Sequence, residues 1–269
     1  MGATNALHFG CKCLRLAGAV ENASPREGDY VVCHCHDCQA WPRLLGADHV
    51  LDEHGGTALY QSRCARLRID RGRDHLASAH LTKKPTLRWY ADCCDTPLFN
   101  TYANGRIPYV TTLLANCDDA SPVLLGKPLG HLFLADAKGD ASHLKPLSMS
   151  KLMRRFAVRM AKDIFSGDRR RNPLFDPETL DPIAPPRRIT AEERATLPPH
   201  RRVGKPICSL LNYAIALPGL LGAALGYWQE LLVRQALAGF IGPMSAQQTT
   251  GWTAATSWRS GARITVPAH

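Results

Sequence analysis

Acidic side chains are the scarce ones: 23 Asp and Glu against 33 Lys and Arg leave the 269-residue chain at +10. Aromatic residues make up only 7% and charged residues 21%, against 45% hydrophobic, which excludes wholesale disorder and a coiled coil. The 21 glycines follow no three-residue period, which excludes a collagen-like chain. There is no glycine-rich phosphate loop and no alternation of strand and helix patterns, so a nucleotide-binding parallel sheet is not expected. A charged-then-apolar start with a small-residue cleavage site is also missing. Ten cysteines, about 4% of the chain, fall well short of a disulfide scaffold. These absences predict a reduced, cytoplasmic setting, with membrane association hanging on one late segment. In such a setting clustered cysteines are metal ligands or reactive thiols rather than cross-links.

Between residues 7 and 145 short apolar runs alternate with turn residues. The runs pass through Leu7, Phe9, Cys11 and Cys13, then Tyr30 to Val32, Ala65, Leu67 and Ile69, Leu87 to Tyr90, and Ile107 to Leu114. Ser24-Pro25, Gly55-Gly56, Arg71-Gly72, Asn104-Gly105 and Ser121-Pro122 separate them, which predicts a sheet-rich domain over 1–145. After Leu147 the period becomes helical: Met153, Phe156, Met160 and Ile164 share a face, with Ser150 as cap and Gly167 as stop. The opposite face carries Lys151, Arg154, Arg155, Arg159 and Lys162, followed by Arg169, Arg170 and Arg171. Residues 150–205 hold fourteen Lys and Arg against seven Asp and Glu, so +7 of the +10 is concentrated in this stretch. Phe175 to Arg188, with four prolines, is expected to wander over the surface, and Thr190 to Glu193 has capping-box spacing.

The predicted organisation is therefore a domain at 1–145, a basic helical extension at 146–205, an apolar segment at 206–243 and a polar tail at 244–269. Ile207 to Trp228 contains no charged side chain over 22 positions and follows Arg201, Arg202 and Lys205. It is long enough to contact or span a membrane. Asn212, Pro218 and the nearby Arg234 favour a buried or interfacial helical hairpin instead.

Seven cysteines cluster in sequence: Cys11-Lys-Cys13, then Cys33-His-Cys35-His-Asp-Cys38, then Cys93-Cys94 before Asp95-Thr96-Pro97-Leu98. Zinc takes about four soft ligands in a tetrahedron, and an extended C-x-C puts both sulfurs on one side. Two thiols do not fill that shell, so Cys11 and Cys13 need partners, for which Cys93 and Cys94 are the natural choices. The second motif, C-x-C-x-x-C, offers three thiolates within six residues and leaves a fourth position for water or a substrate thiol. On an extended chain His34 points away from Cys33 and Cys35. His36 either completes the shell or shuttles protons. His36 and Asp37 more simply cap their own turn. Cys64, Cys117 and Cys208 lack metal spacing and are expected as small apolar residues, and His75 and His80 as ordinary histidines.

This arrangement resembles the glutathione-dependent formaldehyde-activating enzyme superfamily, which includes the centromere protein V type, over about residues 5–115. The resemblance implies an α+β protein with a mostly antiparallel, zinc-binding β-tent, here followed by an α-helical C-terminal extension. It pairs an early C-x-C with a later C-x-x-C-G-x-P as a structural zinc site. It assigns the C-x-C-x-x-C to a second zinc. Cys11 and Cys13 match the first pair, Cys33, Cys35 and Cys38 the second site, and Cys94-Asp95-Thr96-Pro97-Leu98 the later end. Trp41 stands where such chains often have a basic or aromatic residue. Two departures stand out: Ala91 occupies the place of the later motif's first cysteine, and Asp95 that of its glycine. The structural site is then Cys11, Cys13, Cys93 and Cys94, or three cysteines completed by His8, water or nothing. A bacterial branch of the superfamily has a similar C-C-x-T-P stretch with a basic helical continuation.

The implied activity is carbon-sulfur lyase chemistry on an adduct of an aldehyde and a thiol, such as S-hydroxymethyl glutathione, with zinc at Cys33, Cys35 and Cys38. The rival reading is a non-catalytic zinc module that contacts nucleic acid or a protein through its basic helix. Few aromatics interleave with the basic residues, which speaks against stacking on single strands.

Overall fold

The computed structural model describes residues 5–118 and 121–197. The chain divides into two units, 1–204 and 205–269, and every described residue belongs to the first. The apolar run from Ile207 to Trp228, its hairpin alternative, the polar tail and Cys208 lie outside the described residues. Among the described residues no helix is long and apolar enough to cross a membrane.

The chain folds as strands in mostly antiparallel sheets with few helices. A small sheet joins β1 (Leu7–Gly10), β2 (Ala17–Val20) and β5 (Leu67–Arg71) in that order. A larger sheet is built on β3 (Asp29–Cys33), β4 (Thr57–Arg63), β6 (Leu76–His80), β7 (Thr86–Ala91), β8 (Thr96–Tyr102) and β9 (Tyr109–Leu113). Its order is β3-β4-β9-β8-β7-β6, all antiparallel. Two short parallel strands extend its edges: β10 (His131–Leu132) beside β3 and β11 (Arg187–Arg188) beside β6.

One face of the large sheet packs on the small one, where Leu7, Phe9 and Leu16 share an apolar cluster with Leu87, Trp89 and Phe99. Phe9 meets Phe99 edge to face at 4.9 Å. Fully burying a side chain of this kind contributes about 1.5–3 kcal/mol, so this interface is a principal source of stability. Gly18 in β2 lets β5 pair closely with it in the small sheet, since a Cβ there would meet the Arg68 carbonyl oxygen at 2.1 Å. The other face is covered by α1 (His36–Leu44) and α3 (Met149–Phe165), with Leu152 of α3 in one cluster with Val31, Leu59 and Leu113. Buried on both sides, the central strands lose the clean alternation of a half-exposed sheet. Two further α-helices are short, α2 (Ser121–Leu125) and α4 (Ala191–Ala195).

Three expectations need correction. The basic helix does not turn all its cations to solvent. Arg159 is buried and pairs with Asp29, and Arg155 Nε lies 2.5 Å from the same carboxylate. Asp29 is fully buried at the start of β3, so these two arginines dock α3 on the sheet. The cap of α3 is Ser148 rather than Ser150, while Gly167 does stop it in the left-handed region at φ 75°. The proline-rich stretch does not merely wander: Phe175 and Leu180 are buried, and Phe175 meets Trp89 edge to face at 5.8 Å. With β11 at the sheet edge, residues 146–197 form part of the same unit as the preceding strands. The capping box at Thr190 and Glu193 is present and opens α4.

Candidate metal centres

The first centre forms where two strand connections meet. β1 ends at Gly10, so Cys11 and Cys13 lie in a turn rather than on the strand their spacing suggested. The turn is set by Leu14, in the left-handed region at φ 61°, whose N–H bonds the Cys11 carbonyl at 2.8 Å. The Leu16 N–H donates to Cys11 Sγ at 3.2 Å and holds that sulfur in the turn. Across from it, residues 92–95 turn between β7 and β8. Asp95 takes the left-handed conformation at φ 52°. Aspartate tolerates that region better than most residues, which is why it can stand where a glycine was expected.

Because the chain turns here, Cys93 and Cys94 reach the same side despite being neighbours. All four sulfurs lie within 4.8 Å of one another. Cys13 is 3.3 Å from Cys93, Cys11 is 3.6 Å from Cys13, and Cys93 is 3.8 Å from both Cys11 and Cys94. Four thiolates about 2.3 Å from one zinc stand about 3.8 Å apart, so the group fits a tetrahedral ion. Ala91 is buried in β7 and Cys93 fills the place it leaves open. His8 is exposed on β1 and belongs to no ligand group. Burial and then hydrogen bonding with Cys13 push the Cys93 thiol up. Burial opposes ionisation at Cys94 too, but the Thr96 hydroxyl at 3.1 Å and the neighbouring thiols bring it down to about 6.

The second centre sits at the junction of β3 and α1. Cys33 ends the strand, Cys35 caps the helix, and Cys38 lies in its first turn; their sulfurs are mutually within 4.8 Å. Cys33 and Cys38 are buried and Cys35 is half-buried. Pro42 fixes the position of Cys38 indirectly. Lacking an N–H, proline cannot bond the carbonyl four residues earlier, and the Thr57 hydroxyl donates to that Cys38 carbonyl at 3.0 Å instead. No histidine or carboxylate joins the three sulfurs as a fourth ligand among the described residues. His34 is buried and turned away, its Nε2 3.0 Å from His131 Nδ1. Asp37 pairs with Lys84 at 2.6 Å. Trp41 is buried edge to face against Tyr90 at 5.5 Å.

Sequence reasoning missed Arg88. It rises from β7 with only 6% of its surface exposed, and its terminal nitrogens lie 3.7 and 3.9 Å from Cys38 Sγ. Hydrogen bonds from Cys33 and Cys35, and then Arg88, hold the Cys38 thiol well below its ordinary value. Burial opposes the arginine's charge, but the Cys38 and Cys35 sulfurs hold it protonated. Arg88 ends a polar row that crosses the sheet at paired positions: Asp29, Gln61, Thr111, Asn100, Arg88. All five are buried. Arg88 donates to Asn100 Oδ1 at 2.8 Å and Asn100 to Thr111 at 3.0 Å. An arginine in an apolar run such as Leu-Arg-Trp-Tyr was the available signal, since a buried charge demands a partner.

Cys64 is buried and bonds Asp163 at 3.6 Å, and Cys117 is half-buried; neither joins a ligand group. His80 bonds the Thr86 carbonyl at 3.2 Å.

Fold and site together define an antiparallel α and β protein with two cysteine groups able to hold metal ions. The chain belongs to the Family of unknown function (DUF6151), whose profile matches residues 4–184. No curated protein matches it.

Proposed function

We propose that the protein is a zinc enzyme of carbon-sulfur chemistry. In this reading Cys11, Cys13, Cys93 and Cys94 hold a structural ion, and Cys33, Cys35 and Cys38 hold a reactive one inside a β-tent of the formaldehyde-activating type. The observation that carries it is the contrast between the two groups: four sulfurs at tetrahedral spacing in one, three sulfurs in the other. Zinc at the three-cysteine group would supply a Lewis acid with room for a substrate thiol, which it would help to ionise.

The chain's own residues support that role. Three thiolates leave a dication one unit negative, and an added substrate thiolate makes the excess two. Arg88, buried against Cys38, offsets one unit of it. The helix start at Cys35 offers backbone N–H groups to the same charge. Asp37 is neutralised by Lys84 and so does not add to it. The substrate class is an adduct of a small aldehyde with a thiol such as glutathione, whose carbon-sulfur bond breaks as the hydroxyl loses its proton. The binding-module reading has less support, since Arg155 and Arg159 are committed to Asp29.

The test is metal content per chain in wild type and Cys35→Ser, followed by turnover with glutathione and formaldehyde. After a wash with a mild chelator, two tightly held zinc ions falling to one with the fold retained, and turnover lost with it, is the expected result. One or no zinc in the wild type, unchanged in the variant, would overturn the reading.

A further inference from the structure

We propose that Cys93 serves two metal ions, the second held on the outer side of the four-cysteine group by His75, Asp92 and the shared Cys93 sulfur. The inference rests on the four-cysteine group holding an ion.

The fold brings these three together by register. Leu76 of β6 pairs with Ala91 of β7, so His75 just before one strand and Asp92 just after the other become neighbours. The Asp92 N–H donates to the His75 carbonyl at 3.0 Å and fixes the two backbones. Their ligand atoms and Cys93 Sγ all lie within 4.8 Å of one another. His75 Nδ1 stands 3.5 Å from Asp92 Oδ1. That is long for a charge-assisted hydrogen bond, about 2.7–2.9 Å. It is close to the roughly 3.4 Å edge of a tetrahedron whose N and O ligands stand about 2.0–2.1 Å from zinc.

Charge and ligand type favour the same conclusion. Four thiolates around a dication leave an excess of two negative charges. A second dication, with the Asp92 carboxylate and a neutral His75, reduces that excess to one and is drawn to the shared sulfur. Imidazole, carboxylate and thiolate together suit zinc and its borderline neighbours; a thiolate disfavours magnesium and calcium. The His75 and Asp92 side chains are 30% and 53% exposed, so water reaches the remaining position and the ion exchanges more readily than its inner neighbour.

Native mass spectrometry of the full, untagged chain, reduced and titrated with zinc, tests this in wild type, His75→Ala, Asp92→Asn and Cys35→Ser. Wild type is expected to saturate at three zinc ions, with the third removed first by a mild chelator. His75→Ala and Asp92→Asn are expected to stop at two with unchanged circular dichroism. Variants at His75 and Asp92 that take as many zinc ions as wild type in excess zinc would overturn the proposal. Cys35→Ser reports the other centre independently: a count it leaves unchanged counts against the reactive-zinc reading alone.

Discussion

At the scale of single residues, Arg88 is the side chain on which the second centre most depends. A buried guanidinium beside Cys38 favours the thiolate, and a metal ion competes with protons for that sulfur. Arg88→Met is expected to raise the Cys38 thiol and to speed zinc loss from Cys33, Cys35 and Cys38 about tenfold, equivalent to about 1.4 kcal/mol. Arg88→Lys should recover part of the difference, because it keeps the charge but not the fork that also holds Asn100. Zinc release to a colorimetric chelator, compared between the two centres, measures this. Equal acceleration at both would mean that Arg88 acts only through general stability.

At the scale of elements, α3 is held to the sheet by ion pairs as well as by apolar contacts. Asp29 receives Arg155 and Arg159, while Arg63 of β4 reaches Asp163 at 2.5 Å and Asp168 at 2.6 Å. Removing one partner of a buried pair leaves an uncompensated charge, so Asp29→Asn is expected to cost about 3–5 kcal/mol in urea denaturation. Arg155→Met should cost far less, since Arg155 is 33% exposed and Arg159 still answers Asp29. The Asp168 pair gives the docking a pH dependence. The Ser166 hydroxyl first, and then Arg63 and Arg171 against the opposing effect of burial, hold the Asp168 carboxyl below the usual range. Its folded value therefore lies below its unfolded one. The stability it contributes is full above the ordinary carboxylate value of about 4 and is lost as the pH falls through the lowered one. The stability gap between wild type and Asp168→Asn should be constant above about pH 5 and close toward pH 2.

Across the whole molecule, the four-cysteine centre ties the β1-β2 connection of the small sheet to the β7-β8 connection of the large one. A metal bound only in the folded state adds its binding free energy to folding, about 10 kcal/mol or more for structural zinc sites of this kind. Chelation is accordingly expected to lower the thermal midpoint by ten degrees or more. Cys93→Ala should reproduce most of that fall without chelator, and Cys35→Ser much less of it. A midpoint indifferent to chelator would show that the apolar interface between the sheets suffices.

The sequence by itself determined the local features. The apolar runs at residues 7, 30, 67, 87 and 109 became β1, β3, β5, β7 and β9, because short β-rich runs between turn residues have few other outcomes. The helical period after Leu147 and the capping box at Thr190 rest on contacts within a few residues and were equally legible. So were the C-x-C-x-x-C thiols, which one strand end and one helix turn bring together. The tertiary structure decided what depends on distant neighbours. β2, β4, β6 and β8 are rich in small or polar residues, and their strand character comes from pairing and from burial on two faces. Arg88 meets Cys38 across fifty positions of chain, Asp29 meets α3 across more than a hundred, and Cys93 reaches Cys11 across eighty-two. Only register and a left-handed turn at Asp95 bring such groups within bonding distance, and neither leaves a local pattern to read.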